Sequence, residues 1–212
     1  MLDALLFTKT SPLLSALYPD CLWKVKEESK VIYLTFDDGP IPEITPWVLD
    51  CMQEHQAKAT FFCIGKNVEA HPDIFKRIVD EGHAVGNHTF DHLNGWKTNN
   101  EDYYNNIAQC DATLAKHGVP SGALFRPPYG KLTLSQYLHL KKQYKIIMWD
   151  VLSFDFDLSI SQEKVLDNVL QHTEPGSIIV MHDSLKAMDK VRYALPKLFT
   201  HFTPLGFQFK TL

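Results

Sequence analysis

The sequence predicts an α/β protein in which a parallel sheet, open or closed into a barrel, is covered by helices. Two patterns along the 212 residues support this prediction. Seven segments with strand character alternate with helices, which is typical of parallel strands joined by helical crossovers. Polar clusters follow five of these strands, and in parallel α/β folds the C-terminal ends of the strands lie on a single face. We therefore expect the functional site on that face.

The bounds of the elements follow from apolar spacing and from helix-start and helix-stop residues. Thr45 is predicted to cap the first long helix with Pro46 at its first position, and Gly65 is predicted to close the second strand. The predicted strands start at Val31 and continue as Ala59–Ile64, His83–Asn87, Leu124–Phe125, Tyr144–Val151, Ser177–Met181 and Phe207–Leu212. The further helices start at Pro72, with Gly82 just past the end, and cover Glu101–His117, Ser135–Lys142, Ser161–Gln171 and Val191–Phe199.

The totals favour one domain preceded by an extension. Residues 1–30 are expected to pack on a domain formed by residues 31–212, through an apolar patch of Leu13, Leu14, Leu17, Tyr18 and Trp23. The four cysteines, Cys21, Cys51, Cys63 and Cys110, are far apart and are expected to be buried free thiols.

Charge and hydropathy exclude several classes of partner. A formal net charge of -4 without a basic arm argues against nucleic-acid binding. No apolar run is long enough to span a membrane, and no membrane partner is expected. The first residues lack the form of a signal peptide because Asp3 precedes the first basic residue, so a cytoplasmic location is the default expectation. The sequence does not indicate an oligomeric state.

Two histidines and two carboxylates could form a metal site. His88 and His92 are four residues apart, so on a helical turn both imidazoles can face one ion. Asp37 or Asp38 would complete a set of two histidines and one carboxylate, which leaves positions open for water and substrate. Such a set favours Zn²⁺ or another first-row ion such as Co²⁺. Neighbouring residues at a strand end point to different sides, so one carboxylate could bind the ion while the other serves as general base.

Two further polar residues follow strands. Arg126 precedes two prolines and could hold a carboxylate such as Asp37 through paired hydrogen bonds. His182 follows a strongly apolar strand and could protonate a leaving group. Each residue taken alone also has a plainer explanation: a solvated Asp-Asp-Gly-Pro turn, an exposed loop arginine or a capping histidine.

Together these clusters resemble the polysaccharide deacetylase family, also called NodB-homology or carbohydrate esterase family 4 proteins. Thr35-Phe36-Asp37-Asp38-Gly39-Pro40 matches the first motif of the family in every letter. His88-Thr89-Phe90-Asp91-His92 fits H-[ST]-x-x-H, Arg126-Pro127-Pro128-Tyr129 fits R-x-x-Y, and Val180-Met181-His182 is similar to the closing L-x-H. The motifs occur in the order of the family over residues 31–212, which the resemblance identifies as the catalytic domain.

The resemblance implies a distorted, incomplete (β/α) barrel of about seven parallel strands. It implies that Asp38, His88 and His92 bind the metal ion and that Asp37 is the general base. Arg126 would orient Asp37, and the backbone N–H of Tyr129 would help to stabilise the oxyanion. His182 would be the general acid. The implied reaction is removal of the N-acetyl group from an amino sugar or its polymer, with release of acetate.

The fourth motif departs from the family pattern of Asp-x-x-Asp-Trp. Leu152 stands at the first Asp and Phe156 at the Trp, while Asp155 keeps the second Asp and is implied to tune His182. Asp150 is a possible replacement for the missing charge. These changes affect the expected groove and substrate more than the reaction.

Three other functions stay open at this stage. The same residues could hydrolyse acetyl esters of sugars, or a non-sugar amide in a different pocket. A catalytically silent relative could bind carbohydrate without turnover.

Overall fold

The fold is an α/β sheet that curls upon itself, described for residues 7–120, 122 and 124–212 in a computed structural model. The strands are β1 (Val31–Asp37), β2 (Thr60–Cys63), β3 (Ala84–Asn87), β4 (Leu124–Phe125), β5 (Lys145–Ile146), β6 (Val151–Leu152), β7 (Ile178–His182) and β8 (Gln208–Phe209). The helices are α1 (Pro12–Leu17), α2 (Thr45–Glu54), α3 (Gly65–Ala70), α4 (Pro72–Asp80), α5 (Asn100–Ala115), α6 (Leu134–Leu140), α7 (Gln162–His172) and α8 (Met188–Phe202).

The order of the strands explains the curl. Seven strands form the path β5-β4-β3-β2-β1-β7-β6, with β8 beside the start of β1, and the pairings between these strands are parallel. The two edge strands, β5 and β6, are joined by residues 147–150 alone, which span about 18 Å when fully extended. The edges must therefore approach each other, which confirms the predicted incomplete barrel.

Strand β1 occupies the centre of the sheet and is buried along its whole length. Its residues pair with β2 on one side and with β7 on the other, and Asp37 lies opposite His182 in the latter register. Burial on both faces accounts for its continuous apolar run, Val31 to Leu34. The two carboxylates that follow therefore emerge at the middle of the C-terminal face.

The predicted strand Tyr144–Val151 is wrong as one element. The chain crosses here from one edge of the sheet to the other, so successive backbone groups bond to different neighbours. The Ile147 N–H donates to the Phe125 carbonyl, that of Met148 to Leu22, and that of Asp150 to Ile178. A run of apolar residues indicates burial, and it does not show that one ladder continues through it.

Two local predictions for the segments that follow β1 and β2 also need correction. Thr45 is the first residue of α2 and does not cap it; its hydroxyl accepts from Ile41 N–H and donates to Asp183. Gly65 does not close the strand, because β2 ends at Cys63 and Gly65 is the first residue of α3. A Cβ on Gly65 would lie 2.6 Å from the Phe90 ring, so packing requires glycine here. Helix α3 has only six residues, too few for an apolar period to be recognised.

The segment before β1 packs on the closing edge of the barrel. Lys9 bridges Val151 in antiparallel fashion and Leu22 bridges Ile147. Trp23 is buried, as predicted, whereas Leu13, Leu14 and Leu17 are exposed by 81%, 36% and 71%. The predicted apolar patch is therefore wrong for these three leucines.

The cysteine prediction is confirmed. All four are free thiols: Cys51, Cys63 and Cys110 are buried, and Cys21 is half-buried.

The part of the expected extension before residue 7 lies outside the described residues.

Candidate active site

Three side chains from two strand ends form a cluster with the spacing of metal ligands. Asp38 follows β1, and His88 and His92 follow β3; one ligand atom from each lies within 4.8 Å of the other two. Asp38 Oδ1 is 3.2 Å from His92 Nε2 and 3.8 Å from His88 Nε2. The structure therefore brings together the three residues that the sequence suggested as ligands.

The chemistry of this cluster fits a divalent cation. Oδ1 of Asp38 is buried and has no hydrogen-bond partner among the described residues. Burial would raise the pKa of Asp38, but His92, His182 and His88 hold it below its usual value. An ionised oxygen without a proton donor, facing two imidazole nitrogens, is the environment that a metal ion satisfies.

His88 is oriented for ligation by the backbone of β4. Its Nδ1 lies 2.7 Å from the carbonyl oxygen of Arg126, and it donates to that oxygen when the proton is on Nδ1. Nε2 then carries its lone pair toward Asp38, an arrangement common among metal-binding histidines. The side chain is 2% exposed, and burial lowers its pKa to about 4, which keeps the imidazole neutral.

The loop between the two histidines is not a helical turn, contrary to the expectation from their spacing. Thr89 and His92 have φ angles of 63° and 57°, in the left-handed region. Asn106 of α5 holds the loop by accepting the N–H groups of Phe90 and Asp91 at 2.8 and 3.0 Å. Asn106 was not predicted, although an asparagine on the buried face of a helix is a signal that could have been used.

The adjacent carboxylate, Asp37, is bound to a buried guanidinium. Arg126 is 0% exposed, and its Nη1 donates to Asp37 Oδ1 and to Thr35 Oγ1, both at 2.7 Å. Its Nη2 donates to the Met148 carbonyl, and Phe62 stacks on the guanidinium at 4.1 Å. The predicted paired hydrogen bonds to Asp37 are therefore wrong: a single nitrogen contacts the carboxylate because the other bonds elsewhere. Oδ2 of Asp37 is left 4.0 Å from His88 Nε2.

A second histidine–carboxylate pair joins the segment after β6 to the last residue of β7. Asp155 accepts from the backbone N–H of His182 and bonds to its Nδ1, each at 2.7 Å. Burial lowers the pKa of His182, but the charge and hydrogen bond of Asp155, together with the charges of Asp38 and Asp37, raise it to about 10. The imidazole is thus protonated at neutral pH, with Nε2–H left as a donor on the side of the ring away from Asp155.

The two altered positions of the fourth motif, Leu152 and Phe156, lie in apolar surroundings. The Phe156 ring meets the edge of the His182 ring at 5.1 Å, and Leu152 is buried in an apolar cluster with Val180. Asp150 does not replace the missing charge, because it bonds to Lys9 and to Ser177.

Tyr129 separates the metal-ligand cluster from an apolar cleft. Its backbone is left-handed, with φ 60° and ψ 7°, and its ring packs on His92 at 4.7 Å. The cleft has a volume of about 500 Å³ and is bordered by α1, Trp96 and Leu132. The apolar cleft therefore begins next to the ligand cluster.

Comparison with known proteins identifies the family. Residues 24–146 match the sequence profile of the family described as polysaccharide deacetylase. The chain belongs to this family. A peptidoglycan-N-acetylglucosamine deacetylase of Bacillus cereus is 37% identical over 85% of this chain and 68% of its own length. A chitooligosaccharide deacetylase of Azorhizobium caulinodans is 35% identical over 76% of this chain and 77% of its own length.

A solved structure of a deacetylase has a similar fold. The crystal structure of the Bc1960 peptidoglycan N-acetylglucosamine deacetylase, in complex with 4-naphthalen-1-yl-N-oxidanyl-benzamide, superimposes with a TM-score of 0.88. It is 34% identical, and the match covers 96% of this chain and 95% of the other. The predicted family and the prediction of a carbohydrate deacetylase are confirmed by these similarities. Among the described residues, no helix has the length and apolar character needed to cross a bilayer; the cytoplasmic location stays a prediction.

Proposed function

We propose that this protein is a metal-dependent deacetylase that hydrolyses N-acetyl groups of an amino sugar in an oligosaccharide or polysaccharide, with release of acetate. The observation that carries this proposal is the buried, unpartnered Oδ1 of Asp38 between His88 and His92. The relatives named for peptidoglycan and chitooligosaccharide deacetylation support the substrate class. We further propose that residues 31–212 form the catalytic domain and that residues 1–30 are an extension on it.

Asp38, His88 and His92 would hold the ion, and two nitrogens with one oxygen favour Zn²⁺ or Co²⁺. When bound, the ion supplies Lewis acidity toward the acetyl carbonyl and toward water. Three protein ligands would leave positions open for water or substrate, which is typical of catalytic sites.

Asp37 is proposed as the general base. It lies beside the ligand cluster, and the single hydrogen bond from Arg126 fixes one oxygen while the other faces the cluster. The free oxygen can accept the proton of the attacking water. Arg126 compensates the charge of Asp37 inside a water-poor interior, which it can do because a guanidinium keeps its proton.

His182 is proposed as the general acid. Asp155 holds the imidazolium and directs Nε2–H away from itself, so that the proton can pass to the departing amine as the C–N bond breaks. The Tyr129 N–H is proposed to donate to the oxyanion of the tetrahedral intermediate, since the left-handed backbone turns this residue over His92.

The protonated state of His182 distinguishes between N-acetyl and O-acetyl substrates. An acetyl ester needs less help from an acid than an amide does, because an alkoxide is a better leaving group than an amide anion. A protonated His182 bonded twice to Asp155 therefore favours N-acetyl over O-acetyl hydrolysis. A non-sugar amide and a silent carbohydrate-binding relative are the outcomes against which the activity test is designed.

The test is acetate release from N-acetylated chitooligosaccharides, peptidoglycan fragments, acetylated xylan and small acetamides. We expect release from the amino sugars, its loss after treatment with a chelator, and its return with Zn²⁺ or Co²⁺. Release from small acetamides alone would contradict the sugar substrate and favour a non-sugar amide. Sugar binding without acetate release, in the presence of either ion, would contradict the proposal and favour the silent relative.

A further inference from the structure

The ligand Asp38 lies in a backbone conformation that side chains other than glycine rarely adopt. Its φ angle is 85°, and a left-handed residue of this kind persists only where its surroundings enforce the conformation. The direction of the Asp38 carboxylate follows from this backbone. The groups that hold the two peptide planes around Asp38 therefore set the direction of its carboxylate.

The peptide plane after Asp38 is held at both of its polar atoms. Asn67 Nδ2 donates to the Asp38 carbonyl at 2.7 Å. The N–H of Gly39, at the other end of the same plane, donates to Asp183 Oδ1 at 3.0 Å. Together the two contacts restrict rotation about the bond between the Asp38 Cα and its carbonyl carbon.

The peptide plane before Asp38 is held by the same carboxylate residue. The N–H of Asp183 donates to the Asp37 carbonyl at 3.1 Å, so both planes flanking Asp38 are bound to Asp183. Its side chain is 0% exposed, and its Oδ2 accepts the Thr45 hydroxyl at 2.6 Å, which anchors it to α2.

The fit around Asp183 leaves no room for a side chain at Gly39. A Cβ on Gly39 would lie 2.0 Å from Asp183 Oδ2, so the carboxylate occupies the space beside the glycine. The Gly39 carbonyl in turn accepts the N–H of Ile64, the residue before α3, which also carries Asn67. The turn is thus fastened to α3 on one side and to the end of β7 on the other.

We propose that Asn67 and Asp183 are positioning residues that aim the Asp38 carboxylate at His88 and His92 and so set the affinity of the site for a divalent cation. This inference rests on the proposed function, because it concerns the metal cluster of that site. Neither residue is among the three ligands. Each acts through the backbone of Asp38, as outer contacts of metal ligands commonly do.

The experiment measures Zn²⁺ binding to the chelator-treated full chain by calorimetry, independently of turnover. For Asn67→Ala and Asp183→Ala we expect the affinity to fall about 10- to 100-fold, the usual effect of losing an outer contact. Asp183→Asn should bind within about threefold of the parent protein, because its side-chain oxygen still accepts the Gly39 N–H and its amide can donate to Thr45.

Matched controls separate positioning from a general loss of structure. Asp150→Ala removes a buried carboxylate bonded to Lys9 and Ser177, and Gln136→Ala removes a buried amide bonded to the Gly95 carbonyl. Both are expected to lower the urea midpoint of the chelated protein and to leave the Zn²⁺ affinity unchanged. Asn67 is half-buried, so its variant keeps the test available if Asp183→Ala does not fold.

The outcomes distinguish this inference from the proposed function. A parent protein that does not bind Zn²⁺ or Co²⁺ contradicts the metal site itself. A parent that binds, with Asn67→Ala and Asp183→Ala within about twofold of it, overturns the positioning role alone. Equal losses of affinity in the two control variants would also overturn it, because the effect would then follow from stability.

Discussion

The two halves of the candidate site differ in the number of hydrogen-bonding groups that hold them. We call Asp37, Asp38, His88, His92 and Arg126 the ligand side, and Asp155, Phe156 and His182 the acid side. Two arginine nitrogens, two asparagine side chains and Asp183 hold the ligand side. On the acid side, Asp155 supplies both hydrogen bonds described for the N–H and Nδ1 of His182.

This difference indicates where sequence change is tolerated. The ligand side keeps the family motifs in full, while Phe156, which departs from the family pattern, belongs to the acid side, and Leu152, the other departure, precedes it in the same motif. A network in which each group has several partners fails when one member changes, because a buried polar group is left unpaired. An apolar wall such as Phe156 can change in size at smaller cost.

The largest effect should follow from Asp37→Asn on the ligand side. We expect kcat to fall about 10³-fold, because the amide cannot accept the proton of water, while Zn²⁺ affinity stays within a few-fold. His88→Ala should lose both activity and metal. Acetate release and calorimetry on the same samples provide the measurement. If Asp37→Asn keeps its activity, the general base is a different group.

Arg126→Ala should break the ligand side by leaving the buried charge of Asp37 uncompensated. Removal of one partner from a buried ion pair costs about 3–5 kcal/mol in the free energy of unfolding. The matched control is Arg77→Ala, which removes ion pairs to Asp50 and Glu81 that are partly exposed; such pairs contribute about 1 kcal/mol or less. Urea unfolding measures both. Equal losses would show that the Arg126 pair is not the buried support described here.

Asp155→Asn should act on the acid side through pH. Asp155 contributes most among the carboxylates that raise the pKa of His182 to about 10 against the opposing effect of burial, so its loss should lower that pKa. A general acid works only below its pKa, and the alkaline limb of kcat/KM should therefore move to lower pH, with kcat reduced about 100-fold at neutral pH. The measurement is a pH–rate profile at saturating Zn²⁺. An alkaline limb that stays in place would assign it to another group.

The same pair makes a contribution to stability that depends on pH. Because the folded pKa of His182 lies above the unfolded value of 6.5, this contribution is complete below about pH 6.5 and is lost as the pH rises through about 10. Asp155→Asn should therefore lower the urea midpoint at pH 6 to 8 and converge on the parent protein above about pH 10. A constant difference across this range would indicate a purely steric effect.

Phe156→Trp should give the smallest change. It restores the residue common in the family and adds an indole N–H next to His182. One added hydrogen bond to substrate contributes about 1 kcal/mol, so KM should shift by about fivefold or less with kcat nearly unchanged. Steady-state kinetics on chitooligosaccharides of several lengths test this. A large change in kcat would place Phe156 in the proton-transfer geometry.

Much of this architecture could be predicted from local pattern. Alternating strands and helices predicted the parallel sheet, and Tyr103, Ile107, Cys110 and Leu114 are buried at the spacing expected for one face of α5. The residues after the strands were correctly expected to meet, because parallel strands bring their C-terminal ends to one face. Failures came where the chain leaves regular structure: the crossing at residues 147–150 and the non-helical loop between the two histidines.

The sequence by itself determined which chemical groups stand at the strand ends: two carboxylates, two histidines, an arginine and a further histidine. The tertiary structure decided which carboxylate faces which partner. That choice depends on the left-handed φ of Asp38, and this conformation is held by Asn67 and Asp183, which are distant from Asp38 in the chain. Adjacency predicts that the two carboxylates point to different sides, but long-range contacts decide which of them faces the histidines.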